Sequence, residues 1–184
     1  ALLALATAYE KLERSEDHLY ALERAFRARS GDGSVAARFG LALAEAGKSD
    51  MAVSLLSRAR DLDPARGDVA RKLVELRGDR AARREAEGNA AGAEADFAAA
   101  LAIAPEIVPL RLGLARAYRT QGKAHEALVA AEEATNRAPE DAGAWLLLGE
   151  LRVRLGQDPK AAEAGRGVDG GDGGSSDAGD GGPM

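Results

Sequence analysis

The chain has 184 residues, of which 42 are alanine and none is cysteine, and its formal net charge is −5. Alanine favours helices, whereas the aromatic residues that β-sandwiches need make up only 4% of the chain. The absence of cysteine excludes disulfides, cysteine-ligated metals and thiol nucleophiles. The negative charge argues against a nucleic-acid binder, which must neutralise phosphates, and no apolar run is long enough to span a membrane.

The spacing of apolar residues predicts a series of helices joined by short turns. In chain order the helices are expected at residues 1–13, 17–29, 34–46, 50–62, 67–87, 90–104, 108–121, 124–137, 141–155 and 159–164. Ser34 and Ser49 are the predicted N-caps of the third and fourth helices, and Pro109 fits the first turn of the seventh. Four of the predicted turns carry a glycine that tolerates left-handed backbone, namely Gly47, Gly88, Gly122 and Gly156.

The prolines reveal an internal period. The separation of Pro105 and Pro139 equals the repeat length of solenoids built from helix pairs, about 34 residues. Pro64 ends a similar segment but precedes Pro105 by one such repeat plus seven further positions. Because the seven added positions amount to two helical turns, we expect the fifth helix to be longer without a large rotation of its faces.

Superposing the segments with this period aligns small residues with small residues. Position 8 of the repeated unit is alanine or glycine, and positions 20 and 27 are alanine, with His18 as an exception at position 20. Small side chains at fixed points let antiparallel helices approach closely. The residues at the repeated positions are Leu5, Ala6, Tyr9, Phe39, Gly40, Ala52, Ala59, Pro64, Ala93, Phe97, Ala100, Pro105, Leu114, Ala115, Tyr118, Ala127, Ala134, Pro139, Trp145, Leu148, Gly149 and Ala161.

These positions resemble the motif of the tetratricopeptide repeat family, and the best match is residues 108–141. The resemblance implies an all-α fold, a right-handed α-solenoid of about five antiparallel helix pairs. The expected repeats are residues 1–32, 33–66, 67–107 with the seven-residue insertion, 108–141 and 142–164. It also implies a non-catalytic scaffold for protein–protein interaction.

In this family the first helix of each repeat lines a concave groove, and the matching positions give the candidate site. They are Arg38, Leu41, Leu112, Arg116, Arg119, Leu146, Leu147, Glu150 and Arg154. Apolar side chains flanked by guanidinium groups suit a peptide that carries acidic and apolar residues. The Lys and Asn pattern with which some family members hold chaperone C-termini is absent, so no such ligand is predicted.

Catalysis is not expected, nor is a cofactor or a metal. His18 and His125 are far apart in the repeat pattern, so they cannot form a shared site. His18 is predicted to pack between helices and His125 to be exposed. Arg77, Arg80 and Arg84 share one face of the fifth helix, which we interpret as a solvated face, with a docking surface for anions as the alternative.

The C-terminal segment, 165–184, contains nine glycines and four aspartates, a composition typical of a disordered acidic tail. Neither end of the repeat pattern has a polar capping repeat, which indicates a fragment of a longer array. Two alternatives to a simple scaffold stay open: the interaction module of a larger enzyme or sensor, and a structural protein that self-associates through its uncapped ends. The composition is typical of a GC-rich bacterial source, in the cytoplasm or the periplasm.

Overall fold

The computed structural model describes residues 1–156, which form nine α-helices and no β-strand. The helices are α1 (Leu2–Lys11), α2 (Ser15–Ala28), α3 (Gly33–Glu45), α4 (Ser49–Leu62), α5 (Gly67–Ala86), α6 (Ala90–Leu101), α7 (Val108–Thr120), α8 (Ala124–Arg137) and α9 (Ala142–Arg154). The predicted helix 159–164 with Ala161, and the predicted tail 165–184, lie outside the described residues. The nine other predicted helices are found within a few residues of their expected ends.

Successive helices form antiparallel hairpins, as the contacts between α3 and α4 show. A Cβ atom built on Gly33 would lie 3.0 Å from Cβ of Leu62, and one built on Gly40 would lie 2.8 Å from Cγ of Leu56. The start of α3 therefore meets the end of α4. The other helices also pack mainly against their neighbours in sequence, so the predicted all-α helical-repeat solenoid is confirmed.

The core lies between the helices and is built largely from alanine. Ala6, Ala52, Ala93 and Ala127 are fully buried, as are the alanines two helical turns after the last three of these, Ala59, Ala100 and Ala134. Two of the large residues at repeated positions, Leu5 and Trp145, are not buried in this core, because they are 43% and 50% exposed. The indole of Trp145 instead donates a hydrogen bond from Nε1 to the carbonyl oxygen of Pro139 at 2.8 Å.

Two predicted caps are wrong. The N-cap of α3 is Asp32, whose carboxylate accepts hydrogen bonds from the backbone N–H groups of Ser34 and Val35. The hydroxyl of Ser34 also donates to Asp32, and these bonds lower the pKa of the carboxyl group. Ser49 is the first residue of α4 rather than its cap. The prolonged fifth helix is confirmed, since α5 has 20 residues.

The predicted glycine turns are also confirmed. Gly47, Gly88, Gly122 and Gly156 have φ angles of +72°, +77°, +75° and +65°. The first hairpin has Glu13 at the equivalent place, and its φ of +55° makes it the non-glycine residue with positive φ among residues 1–156. The backbone of this turn is therefore left-handed whichever residue the sequence supplies.

Candidate functional site

The candidate site is a groove of about 230 Å³ between α7 and α9. Its walls are Leu112, Arg116 and Arg119 of α7 and Gly143, Leu146, Leu147 and Glu150 of α9. The spacing of three or four residues on each helix places these side chains on one face, as helical geometry requires. Six of the nine residues predicted for the groove therefore lie around one cavity.

The floor of this groove is apolar and accessible at one end. Leu146 is 67% exposed, whereas Leu147 is 6% exposed and belongs to the core that α7, α8 and α9 share. Leu112 packs against the same core from α7. Gly143 adds no side chain, so the first turn of α9 leaves room beside Leu146. A bulky apolar side chain of a ligand would bury Leu146 here.

The charged groups of the groove are paired with other side chains of the protein. The Nη1 atom of Arg119 lies 2.5 Å from a carboxylate oxygen of Glu150. Arg116 donates two hydrogen bonds to Glu85 of α5, at 2.7 and 3.2 Å. Both guanidinium groups therefore join neighbouring hairpins, and an acidic ligand must share or displace an internal carboxylate.

The remaining three predicted residues lie elsewhere. On α3, Arg38 donates to the hydroxyl of Thr7 at 2.8 Å and lies 3.7 Å from Glu10 of α1. Leu41 is half-buried against the core of the first five helices. Arg154 is exposed in the last turn of α9. The structure thus gathers the α7 residues with Leu146, Leu147 and Glu150 of α9, and it leaves Arg154 and the two α3 residues apart.

Sequence reasoning missed Glu85 and the two ion pairs of the groove, although a signal for these pairs exists. Glu85 and Arg116 are separated by 31 positions in the chain, and Arg119 and Glu150 have the same separation. The repeat length is about 34 residues, so this separation places the two residues on the first helices of neighbouring repeats. The later residue then lies about one helical turn before the position equivalent to the earlier one. Opposite charges at this separation predict ion pairs between repeats.

A second charged cluster lies between α5 and α6, and it corrects both interpretations of the arginine face. Arg80 donates two hydrogen bonds to Asp96 at 2.7 and 2.6 Å, and Arg84 donates a third at 2.8 Å. Arg77 lies 3.5 Å from the same carboxylate. Since Asp96 is only 2% exposed, these arginines point into the hairpin and form neither a solvated face nor a docking surface.

The surroundings of this cluster shift the pKa values of Arg80 and Arg77 in opposite directions. The hydrogen bonds to Asp96 raise the pKa of Arg80 above its ordinary value. Burial lowers the pKa of Arg77, whose attraction to Asp96 compensates in part. The three guanidinium groups that share this buried carboxylate form a structural element, because their partner lies inside the hairpin.

Another concavity, of about 430 Å³, lies between α7 and α8. It contains His125, which is exposed as predicted, and the partly buried Tyr118. Arg111 also lines this concavity, and its guanidinium group donates hydrogen bonds to Glu133 and to the carbonyl oxygen of Pro105. The other histidine, His18, packs between α1 and α2 as predicted and donates from Nδ1 to the carbonyl oxygen of Ala6 at 2.8 Å.

Neither a metal site nor a membrane span is found in the described part of the chain. Within residues 1–156, no group of three or more His, Cys, Asp or Glu side chains could hold a metal ion. No helix of this part is both long and apolar enough to cross a bilayer.

Comparison with known proteins identifies a matching sequence family and solved structures with a similar fold. The family model for the tetratricopeptide repeat matches residues 108–151. The structure of MamA AMB-1 is 19% identical, with 91% of this chain and 90% of that chain covered and a TM-score of 0.53. YrrB, described as a TPR protein with an unusual peptide-binding site, is 16% identical, with 86% and 78% covered and a TM-score of 0.52. No curated protein matches the chain.

The helix hairpins, the buried alanines and the glycine turns define a helical-repeat protein. The comparisons make this class more specific: residues 108–151 match the tetratricopeptide repeat model, and the chain has a fold similar to that of YrrB, a tetratricopeptide repeat protein by its description.

Proposed function

We propose that the protein is a non-catalytic scaffold that binds a peptide or protein segment in the groove between α7 and α9. The observation that carries this proposal is the exposed Leu146 beside Gly143, next to two arginines whose internal partners are within reach of solvent. The tetratricopeptide repeat fold commonly serves in protein–protein interaction, and YrrB has a peptide-binding site by its description.

The chemistry of the groove indicates a ligand with a bulky apolar side chain followed or preceded by an acidic one. The apolar side chain would contact Leu112 and Leu146. The carboxylate would compete with Glu150 for Arg119, or with Glu85 for Arg116, and would thus replace one charge-assisted pair by another. A ligand with an apolar anchor alone would keep the internal pairs intact and would bind more weakly.

A peptide library displayed on phage tests this proposal with the whole chain as bait. We expect selected peptides to share an apolar anchor beside an acidic residue. By fluorescence polarisation, Leu146→Asp should weaken their binding about tenfold or more, the effect of losing an apolar contact at the centre of an interface. The control, Val129→Asp, replaces an exposed apolar residue on α8 and should bind like the wild type. Equal loss in both variants, or no selected motif, would contradict the proposal.

A second candidate function is self-association. Trp145, Leu146 and Val153 are 50%, 67% and 59% exposed, and all three belong to α9, the last helix that the structure describes. Exposed apolar surfaces of this kind commonly mark contacts with another chain. The same solenoid could also be the interaction module of a larger enzyme or sensor, which would provide the catalytic function elsewhere in its chain.

A further inference from the structure

The second concavity, which we call the α7–α8 slot, lies on the opposite side of α7 from the candidate groove. It has a volume of about 430 Å³, and its apolar walls are Leu114 and Tyr118 of α7 with Val129 and Ala130 of α8. Leu114 follows Leu112 of the groove by two positions, which turn a helix by about 200°. The slot is therefore a separate surface, with a volume in the range of about 300–1,000 Å³ that ligand pockets have.

Apolar surface is accessible in this slot. Val129 is 55% exposed, and Leu114 and Tyr118 are only partly buried. Leu114 also packs against the core that α5, α6 and α7 share, which holds its side chain in place. A bulky apolar side chain placed between Leu114 and Val129 would bury apolar surface of both residues and of the ligand, which favours binding.

The same place in the preceding hairpin is occupied by the protein's own side chains. Arg80 lies one repeat before Leu114, and Asp96 lies one repeat before Ala130. Arg80 donates two hydrogen bonds to Asp96, which is only 2% exposed, so an ion pair fills this part of the α5–α6 hairpin. With leucine and alanine at the two equivalent positions, the α7–α8 hairpin has no such internal pair between them, and its apolar walls face a ligand instead.

The accessible charges of the slot are mainly negative. Glu126 and Glu133 line it two helical turns apart on α8, and both are exposed. Arg111 contributes a guanidinium group, but its side chain is 11% exposed, whereas that of its partner Glu133 is 50% exposed. The nearby Lys123 is paired with Glu94 at 2.6 Å. A ligand that approaches from solvent therefore meets an apolar strip with a carboxylate towards each end.

We propose that the α7–α8 slot binds a segment of another protein in which a bulky apolar residue has a lysine or arginine on each side. The apolar side chain contacts Leu114 and Val129, and the two cations pair with Glu126 and Glu133. These two glutamates are separated by about 10 Å along α8. In an extended segment, alternate side chains point the same way and each residue adds about 3.3 Å, so the pattern basic–x–apolar–x–basic spaces its cations by about 13 Å. The flexible side chains of lysine and arginine cover the difference.

A protein segment fits this slot better than a small cation does. The wall on α8 extends from His125 to Glu133, which is about 12 Å. A metal ion or a simple amine could contact one carboxylate, but it would leave Val129 in water. The proposed ligand is opposite in charge to the one proposed for the groove, and the inference does not depend on the groove.

Nuclear magnetic resonance of the whole chain, labelled with nitrogen-15, tests the slot with synthetic peptides. The probe is Ser-Arg-Ser-Phe-Ser-Arg-Ser, and the comparison peptide has glutamate in place of both arginines. We expect the arginine peptide to shift the amide signals of residues 125–133 most strongly and the glutamate peptide to leave them unchanged. A third peptide with serine in place of phenylalanine should bind about tenfold more weakly or worse, because it lacks the apolar anchor.

Two variants with the same change in net charge separate the slot from general attraction between opposite charges. Glu126→Lys should weaken binding of the arginine peptide about fivefold or more, since it replaces an attraction by a repulsion. The control is Glu45→Lys, which changes an exposed residue at the end of α3 and should bind like the wild type. Because Glu126 lies in the first turn of α8, Glu126→Gln is a milder second variant, with an expected loss of about two- to threefold. Circular dichroism checks that all three variants fold.

Three outcomes would overturn the proposal. Equal effects of Glu126→Lys and Glu45→Lys would show that the peptide responds only to the net charge of the protein. Amide shifts centred on the α7–α9 groove would place the arginine peptide at the other site. Dimers in light scattering that Glu126→Lys abolishes would show that a second copy of this chain, and not another protein, occupies the slot. The groove proposal has its own test in Leu146→Asp, so the two can fail separately.

Discussion

Two hairpins of this molecule fill the space between their helices with different kinds of side chain. In α3–α4 the facing side chains are apolar, and Phe39, Leu43 and Leu56 are 7%, 2% and 0% exposed. In α5–α6 the residues that correspond to Phe39 and Leu43 are Arg80 and Arg84, which meet the buried Asp96. The comparison shows that the repeated small residues set the distance between helices, whereas the larger positions can be filled by an ionic cluster.

The apolar hairpin and the ionic hairpin should respond differently to substitutions. An apolar contact loses free energy in proportion to the atoms removed and to the cavity left behind. A buried ionic cluster contributes little net stability while it is complete, but it becomes costly when one member is missing, because the remaining charges are left without partners. Single substitutions at the charged positions of the α5–α6 hairpin should therefore destabilise the protein more than the partial burial of its arginines suggests.

The largest expected effect is that of Asp96→Ala in α6. Removing this carboxylate leaves Arg77, Arg80 and Arg84 partly buried, and Asp50 is then the carboxylate that still pairs with Arg80. We expect the free energy of unfolding to fall by about 3–5 kcal/mol, measured by urea denaturation. The control is Asp79→Ala, which removes an exposed carboxylate of α5 and should change stability by about 0.5 kcal/mol or less. Equal effects would contradict the ionic cluster.

The apolar hairpin should respond to added volume instead, and Gly40→Ala tests this. The new methyl group would lie 2.8 Å from Cγ and Cδ2 of Leu56. Overpacking costs about 1–3 kcal/mol, whereas alanine gains about 1 kcal/mol over glycine inside a helix, so a net loss of up to about 2 kcal/mol is expected. Gly149→Ala is the matched control, since alanine fits the equivalent place in the other hairpins, and it should be neutral or stabilising. Comparable losses in both variants would show that the close approach is not specific to α3–α4.

The sequence was sufficient for the helices and turns because each depends on local signals. The glycines at the turns, the repeat period and the two added turns of α5 follow from spacing alone. The ionic cluster could not be predicted in the same way, because an arginine at an apolar position is typical of an exposed helix face until its partner on another helix is known. Asp96 and Arg80 are separated by 16 positions in the chain, and only the packing of α5 on α6 brings them together.

The candidate site was predictable to a similar extent. The resemblance to the family placed six of the seven groove residues, since each sits at a fixed place in its repeat. Gly143 and the role of Glu85 were missed, because one has no side chain and the other lies in the hairpin with the insertion. Trp145 occupies a repeated position but is half-exposed, because an indole combines apolar surface with an N–H donor and can satisfy the carbonyl group of Pro139 at a turn. That the groove binds a ligand stays a prediction.

The smallest expected effect concerns the turns, where the first hairpin differs from the others by one residue. Glu13 adopts a φ of +55°, a conformation that glycine occupies in the other described turns. A left-handed backbone costs a residue with a side chain about 1–2 kcal/mol, and glycine avoids this cost. Glycine also makes the unfolded chain more flexible, which lowers the free energy of unfolding by about 0.4–1 kcal/mol. Glu13→Gly should therefore stabilise the protein by about 0.5–1 kcal/mol in urea denaturation, whereas Glu13→Ala should give no gain, because alanine suffers the same strain. If Glu13→Ala stabilised the chain as much as Glu13→Gly, removal of the charge rather than relief of the backbone would be the cause.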